Sequence, residues 1–127
     1  MAEAGKPHGR HAKRRFLKRG ARGETLAAWL LRLKGYRIVG RNVRTPLGEI
    51  DIIARRGKVV AIVEVKARPT LREAMDAVTW TSQTRIANAA DLWLAKQPDA
   101  PYLSIRFDIV AICPKRWPVH IENAWSQ

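Results

Sequence analysis

The sequence predicts an α/β domain built on a central mixed sheet of four or five strands, and three observations predict it. Residues 49–66 hold two β-branched runs around a short polar turn, the pattern of a hairpin. Apolar residues recur at helical spacing before it, over 23–34, and after it, over 71–96. Two more strand-like stretches, 103–112 and 119–125, follow, so a long helix crosses between the hairpin and the last strands.

Taken in order, residues 1–20 are a basic arm, with Lys6, Arg10, Lys13, Arg14, Arg15, Lys18 and Arg19 against the single acid Glu3. Such a run suits phosphate contact through counterion release, as the rest of the chain is basic too; the alternative is a solvated tail. The folded domain is expected over 21–127. Helix one spans about 23–34 with Ala27, Leu30, Leu31 and Leu33 as its apolar stripe, and Gly35 stands where a helix ends. Glu24 lies one and two turns before Ala28 and Leu31 and shares their inward face. Tyr36–Arg44 reads as the first strand and Thr45-Pro46-Leu47-Gly48 as a turn. After the hairpin, helix two covers 71–96 with a break near Trp80-Thr81, and Val78, Ser82, Ile86, Ala89 and Trp93 line one face. Pro98 and Pro101 close it. Trp29 and Trp93 are read as core. Trp80, beside Ser82 and Gln83, is the tryptophan placed to touch nucleic acid.

At 127 residues the chain forms one domain around one core. Lys plus Arg number 24 against 11 acids, a net of +13, which implies a polyanionic partner. No apolar run is long enough to span a membrane, and the basic start lacks the apolar segment of a signal peptide. With Cys113 alone, a reduced thiol in the cytoplasm is expected. His8, His11 and His120 show no metal-ligand spacing. Asp108 alternates with Arg106, so the two are expected to pair on one face.

The hairpin carries the chemistry. Glu49, Asp51 and Glu64 interrupt its apolar runs, and Lys66 follows. Strands apolar on both faces are mostly buried, where charges are costly unless paired or bound to metal. Glu49 and Asp51 share a face, as do Glu64 and Lys66. A turn centred on Arg56-Gly57 places Glu49 opposite Glu64, with Asp51 one diagonal step away. Carboxylates that close repel unless a cation sits between them or one keeps its proton. Oxygen ligands suit Mg²⁺ or Mn²⁺. The same acids could instead pair with the abundant arginines.

Asp51, 12 intervening residues, then Glu64-Val65-Lys66 resembles the signature of the PD-(D/E)xK nuclease superfamily, with Glu-Ile-Asp in place of Pro-Asp. More closely, Gly23-Glu24, Gly35-Tyr36, Asn42, Gly48-Glu-Ile-Asp-Ile-Ile-Ala54, Val63-Glu-Val-Lys-Ala-Arg68 and Arg106-Phe-Asp108 resemble the YraN family of bacterial endonuclease-like proteins. The resemblance implies a restriction-endonuclease-like core, similar to archaeal Holliday junction resolvases. It implies metal ligation by Asp51 and Glu64, Lys66 as catalytic lysine and Glu24 as the first-helix acid that reaches the metal; at such a site the Val65 carbonyl and Glu49 would complete or tune the shell. It further implies hydrolysis of DNA phosphodiesters, branched or junction DNA included, with Ser82, Gln83, Arg68 and Trp80 on the DNA side. A dimer would suit a symmetric junction. One departure stands out: Ser82-Gln83 occupies the place of the family's Lys-Gln, which removes one positive charge. The other reading is a nucleic-acid-binding module of nuclease-like fold that does not cut.

Overall fold

Three β-branched segments in succession give the chain a sheet before they give it a helical crossover. A computed structural model describes residues 22–126. Within them α1 occupies residues 22–33, followed by β1 (Arg37–Thr45), β2 (Gly48–Arg56), β3 (Val59–Ala67), α2 (Leu71–Asp76), α3 (Trp80–Ala95), a 3-10 turn at Ala100–Tyr102, β4 (Ser104–Ile112) and β5 (Val119–Trp125). The five strands lie in sequence order, antiparallel except for the parallel pair β3–β4. A parallel step needs a crossover, and α2 with α3 supplies it. The architecture is an open mixed α/β sheet flanked by helices, consistent with a restriction-endonuclease-like core.

Alternation along the central strands builds two cores. Val60 and Ile62 of β3 and Ile109 of β4 meet Ile86, Ala89 and Ala90 of α3. Ala61, Val63 and Val110 turn the other way, onto Ala27, Ala28 and Leu31 of α1. β3 is therefore buried on both faces, as its unbroken apolar run requires. α3 also lies hard against the start of β2: a methyl group at Gly48 would sit 2.8 Å from the Arg85 carbonyl oxygen.

Both edges of the sheet are irregular. β1 shifts register between Ile38 and Gly40 and holds Asn42 at φ 50°. β5 holds Asn123 at φ 51°, inside the register break opposite Phe107–Ile109.

Four expectations are corrected. Helix two is interrupted, but earlier than near Trp80-Thr81: the break falls at residues 77–79, because Thr79 caps α3 by accepting the Ser82 N–H at 3.2 Å. The hairpin turns on Gly57-Lys58, with Gly57 at φ 63°, and Arg56 pairs with Val59. That moves the register by two residues, so Asp51 rather than Glu49 falls opposite Glu64. Trp29 is not core; it is 58% exposed and stacks beneath the Arg32 guanidinium. Leu33 likewise points outward, at 84% exposure. The small residues Ala27 and Ala28 bring α1 close to the sheet and leave no room there for an indole. The basic arm, with Lys13, Arg14, Arg15, Lys18 and Arg19, lies outside the described residues.

Candidate metal centre

The β2–β3 ladder runs regularly from Arg56–Val59 to Ile52–Val63. One step further its backbone bonds give way to side chains. The Asp51 N–H donates to Glu64 Oε2 at 3.4 Å, and the Val65 N–H donates to Asp51 Oδ2 at 2.9 Å. Two carboxylates have taken the place of two peptide carbonyls, and the strands fork around them.

α1 brings the third acid. A Cβ at Gly23 would stand 3.7 Å from side-chain carbons of both Val65 and Ile112, so the start of α1 rests on the end of β3 and β4. The next residue, Glu24, reaches the fork. Its Oε1 is buried and, among the described residues, has no hydrogen-bond partner. Asn42, opposite Asp51 between the pairs Arg41–Ile52 and Val43–Ile50, offers its side chain to the Glu24 carboxylate.

The electrostatics follow from this placement. Burial pushes the Glu64 carboxyl up to about 8, and the neighbouring Asp51 and Glu24 charges push the same way against Lys66 and the Asp51 N–H. Burial also raises Asp51, opposed by the Val65 N–H and Lys66, and raises Glu24 with help from Asp51. Three acids thus hold their protons more tightly than they would in water, with Lys66 as the cation near Asp51 and Glu64 and Arg41 as the one near Glu24. This donor set suits a hard divalent cation: Asp51, Glu64 and Glu24 carboxylates and the Val65 carbonyl could hold one. Among the described residues no three Asp, Glu, His or Cys side chains already enclose a point, so filling the shell needs a carboxylate to swing inward.

The other named residues fall around the fork. Glu49 is exposed and pairs with Arg44 at 3.4 Å; its charge reaches Asp51, but its carboxylate is turned to β1. Ser82 accepts from the Thr79 hydroxyl at 3.1 Å as part of the α3 cap. Gln83 Nε2 donates to the Val78 carbonyl at 3.2 Å. Trp80 and Arg68 are exposed.

Residues 23–112 match the family model described as uncharacterised protein family UPF0102. The chain belongs to that family, the YraN-like bacterial proteins. The matched span opens on Gly23-Glu24 and contains the whole fork. Among curated UPF0102 proteins, the chain is 62% identical to that of Chelativorans sp. (strain BNC1) over 117 residues, 92% of this chain and 94% of the relative. It is 57% identical to that of Mesorhizobium japonicum over 114 residues, 90% and 91% of the two chains. It is 58% identical to that of Rhizobium meliloti over 113 residues, 89% and 93%.

A second buried acid has a richer set of partners. Asp108 on β4 is fully buried. It accepts from Arg106 Nε and Nη2 at 2.9 and 2.7 Å, from the Asn123 N–H at 2.9 Å, and contacts His120 Nε2 at 2.7 Å. Arg106 also reaches Tyr36 and Glu122, and Lys34 contacts His120 Nδ1. Burial alone would raise Asp108; its hydrogen bonds from His120, Arg106 and Asn123 outweigh that and hold it at about 2. The Arg106–Asp108 pair was expected from the alternation of the two residues. His120 was not: nothing in its local sequence marks it, because its partners lie at residues 34 and 108.

Proposed function

We propose that this protein is a metal-dependent endonuclease that hydrolyses phosphodiester bonds in DNA. The observation that carries the reading is the fork: the Asp51 N–H donates to the Glu64 carboxylate and the Val65 N–H to the Asp51 carboxylate, while a buried Glu24 oxygen, among the described residues, has no partner. Like charges concentrated in an apolar wall are costly, and a cation relieves them. Asp51, Glu64, Glu24 and the Val65 carbonyl would hold Mg²⁺ or Mn²⁺. Bound there, the ion would supply Lewis-acid activation of water and neutralise the phosphate oxygens.

The chain's own groups do the positioning. The Val65 and Asp51 N–H bonds fix the orientation of both carboxylates before any substrate arrives. Lys66 continues the strand face of Glu64, where its ammonium orients the attacking water or balances charge developing on the phosphate. The net charge of +13 draws the polyanion in.

Asp51→Ala and Glu64→Ala variants with unchanged circular dichroism should lose Mg²⁺- or Mn²⁺-dependent nicking of plasmid DNA. Undiminished nicking by the double variant would refute the assignment. A second reading, binding without cleavage, is favoured by one observation: Ser82 stands where the resemblance expects a lysine and is committed to the α3 cap. Calorimetric Mn²⁺ binding together with no cleavage of branched, flapped or linear DNA would select it.

A further inference from the structure

A cleft of about 420 Å³ opens beside the fork, within the range of about 300–1,000 Å³ typical of small-molecule sites. Leu26, Pro69, Ile112 and Pro114 wall it, and Arg22 and Arg68 flank it. Arg68 is held at the rim by a bond from Nη1 to the Ala67 carbonyl at 2.8 Å. The cleft adjoins the fork through the chain itself: its lining residue Gly23 precedes Glu24, and its lining residue Ala67 follows Lys66.

The wall is almost wholly apolar. It offers no hydrogen-bonding edge with which to tell one base from another. It offers an open apolar surface between two guanidinium groups, on a chain of net charge +13. That combination is complementary to a nucleotide whose base has left the stack. Its π-face gains by leaving water, and its flanking phosphates meet the arginines. An intact duplex presents its sugar-phosphate surface and gains nothing from such a wall. The same charge that favours a polyanion opposes a second copy of the chain as occupant.

We propose that this cleft receives an unpaired nucleotide next to the phosphate engaged at the fork, so that the substrate is nucleic acid with a single-stranded segment, taken without base preference. The position of that phosphate rests on the hydrolase reading above; binding in the cleft is measured apart from it.

The test uses the full chain with Lys66→Ala to silence cleavage, titrated in Mg²⁺ against labelled oligothymidine and a blunt duplex of equal length. Single-stranded DNA should bind at least about tenfold more tightly than the duplex, as expected for one stacked base. Adding Leu26→Ser with Pro114→Ser leaves the net charge unchanged and should remove that preference, with duplex affinity unaltered. Both positions are exposed, so the fold should survive; circular dichroism checks it. Equal affinity for the two DNAs would overturn the proposal, as would a preference that survives the double substitution. Loss of a dimer on substitution, with DNA binding unchanged, would assign the cleft to a second copy instead. Nicking of plain duplex that ignores the cleft variants would remove the cleft and leave the hydrolase. A single-strand preference without cleavage would do the reverse.

Discussion

Two acidic sites lie on this sheet and are built to opposite ends. Asp108 is buried with a guanidinium, an imidazole and a peptide N–H around it, so its charge is welcome and its proton is lost even in acid. The fork gathers three carboxylates with two peptide N–H groups, the Asn42 side chain and the charges of Lys66 and Arg41, which do not offset burial, so all three acids are raised. Full satisfaction marks a site that holds α1, β4 and β5 together. Incomplete satisfaction is the feature from which the proposed metal site is read. Burial is common to both; the number of donors is what differs.

Removing the acid should therefore act in opposite directions at the two places. Asp108→Ala strands the half-buried Arg106 guanidinium and breaks the buried network around it, and should cost about 3–5 kcal/mol in urea unfolding. Glu64→Gln keeps the shape and deletes an uncompensated charge. It should stabilise the metal-free protein at pH 8 by about 1–3 kcal/mol while abolishing calorimetric Mn²⁺ binding. A loss of stability in that variant would mean the fork is already satisfied.

The pH dependence sharpens the contrast. Glu64 is raised from its ordinary value of 4.5 to about 8, so the folded form binds the extra proton. Metal-free stability is then fully present below 4.5 and falls as pH rises through 8. Asp108 is depressed from 3.8 to about 2, so its contribution is present above 3.8 and lost as pH falls through 2. Mn²⁺ at the proposed site would compete with the Glu64 proton, so its affinity should climb over the same interval in which metal-free stability declines. At a hundredfold excess over its dissociation constant, the ion should restore about 2.7 kcal/mol, read as a rise in unfolding midpoint.

Smaller effects test the surroundings. Gly48→Ala drives a methyl group into the Arg85 carbonyl and should cost about 1–3 kcal/mol. Glu49→Ala breaks only an exposed pair with Arg44. It should change stability by no more than about 0.5 kcal/mol and leave cleavage within a factor of about two. A large loss of activity there would return Glu49 to the ion shell.

Much of this was legible in the residues. β-Branched runs and helical spacing located every strand, because burial on both faces of β3 demands an unbroken apolar run. Asp51, Glu64 and Glu24 were brought together as expected, since strand alternation and helix period are local rules. The register was not, because Arg56-Gly57-Lys58 permits two turns. The left-handed φ at the first central position, and not at the second, selects the one centred on Gly57-Lys58. Trp29 was misplaced because helical periodicity gives a stripe without saying how close the helix must approach. Small side chains won the inner face. The break in helix two was expected near Trp80-Thr81, whereas Thr79 caps a new helix just before it, so Ser82 lies in the first turn of α3 and is drawn into the cap. The Asp108 cluster was half visible, as the neighbouring Arg106, and half hidden, as groups contributed by distant elements.

The asparagines in left-handed conformation on β1 and β5 have a consequence for assembly. Each kinks an outer rim, so neither margin offers the straight row of amides and carbonyls onto which another chain could zip. Edge-to-edge pairing of copies through β1 or β5 is thereby disfavoured. Any twofold partnership would have to press broad surfaces together, leaving side chains rather than peptide groups to decide who associates.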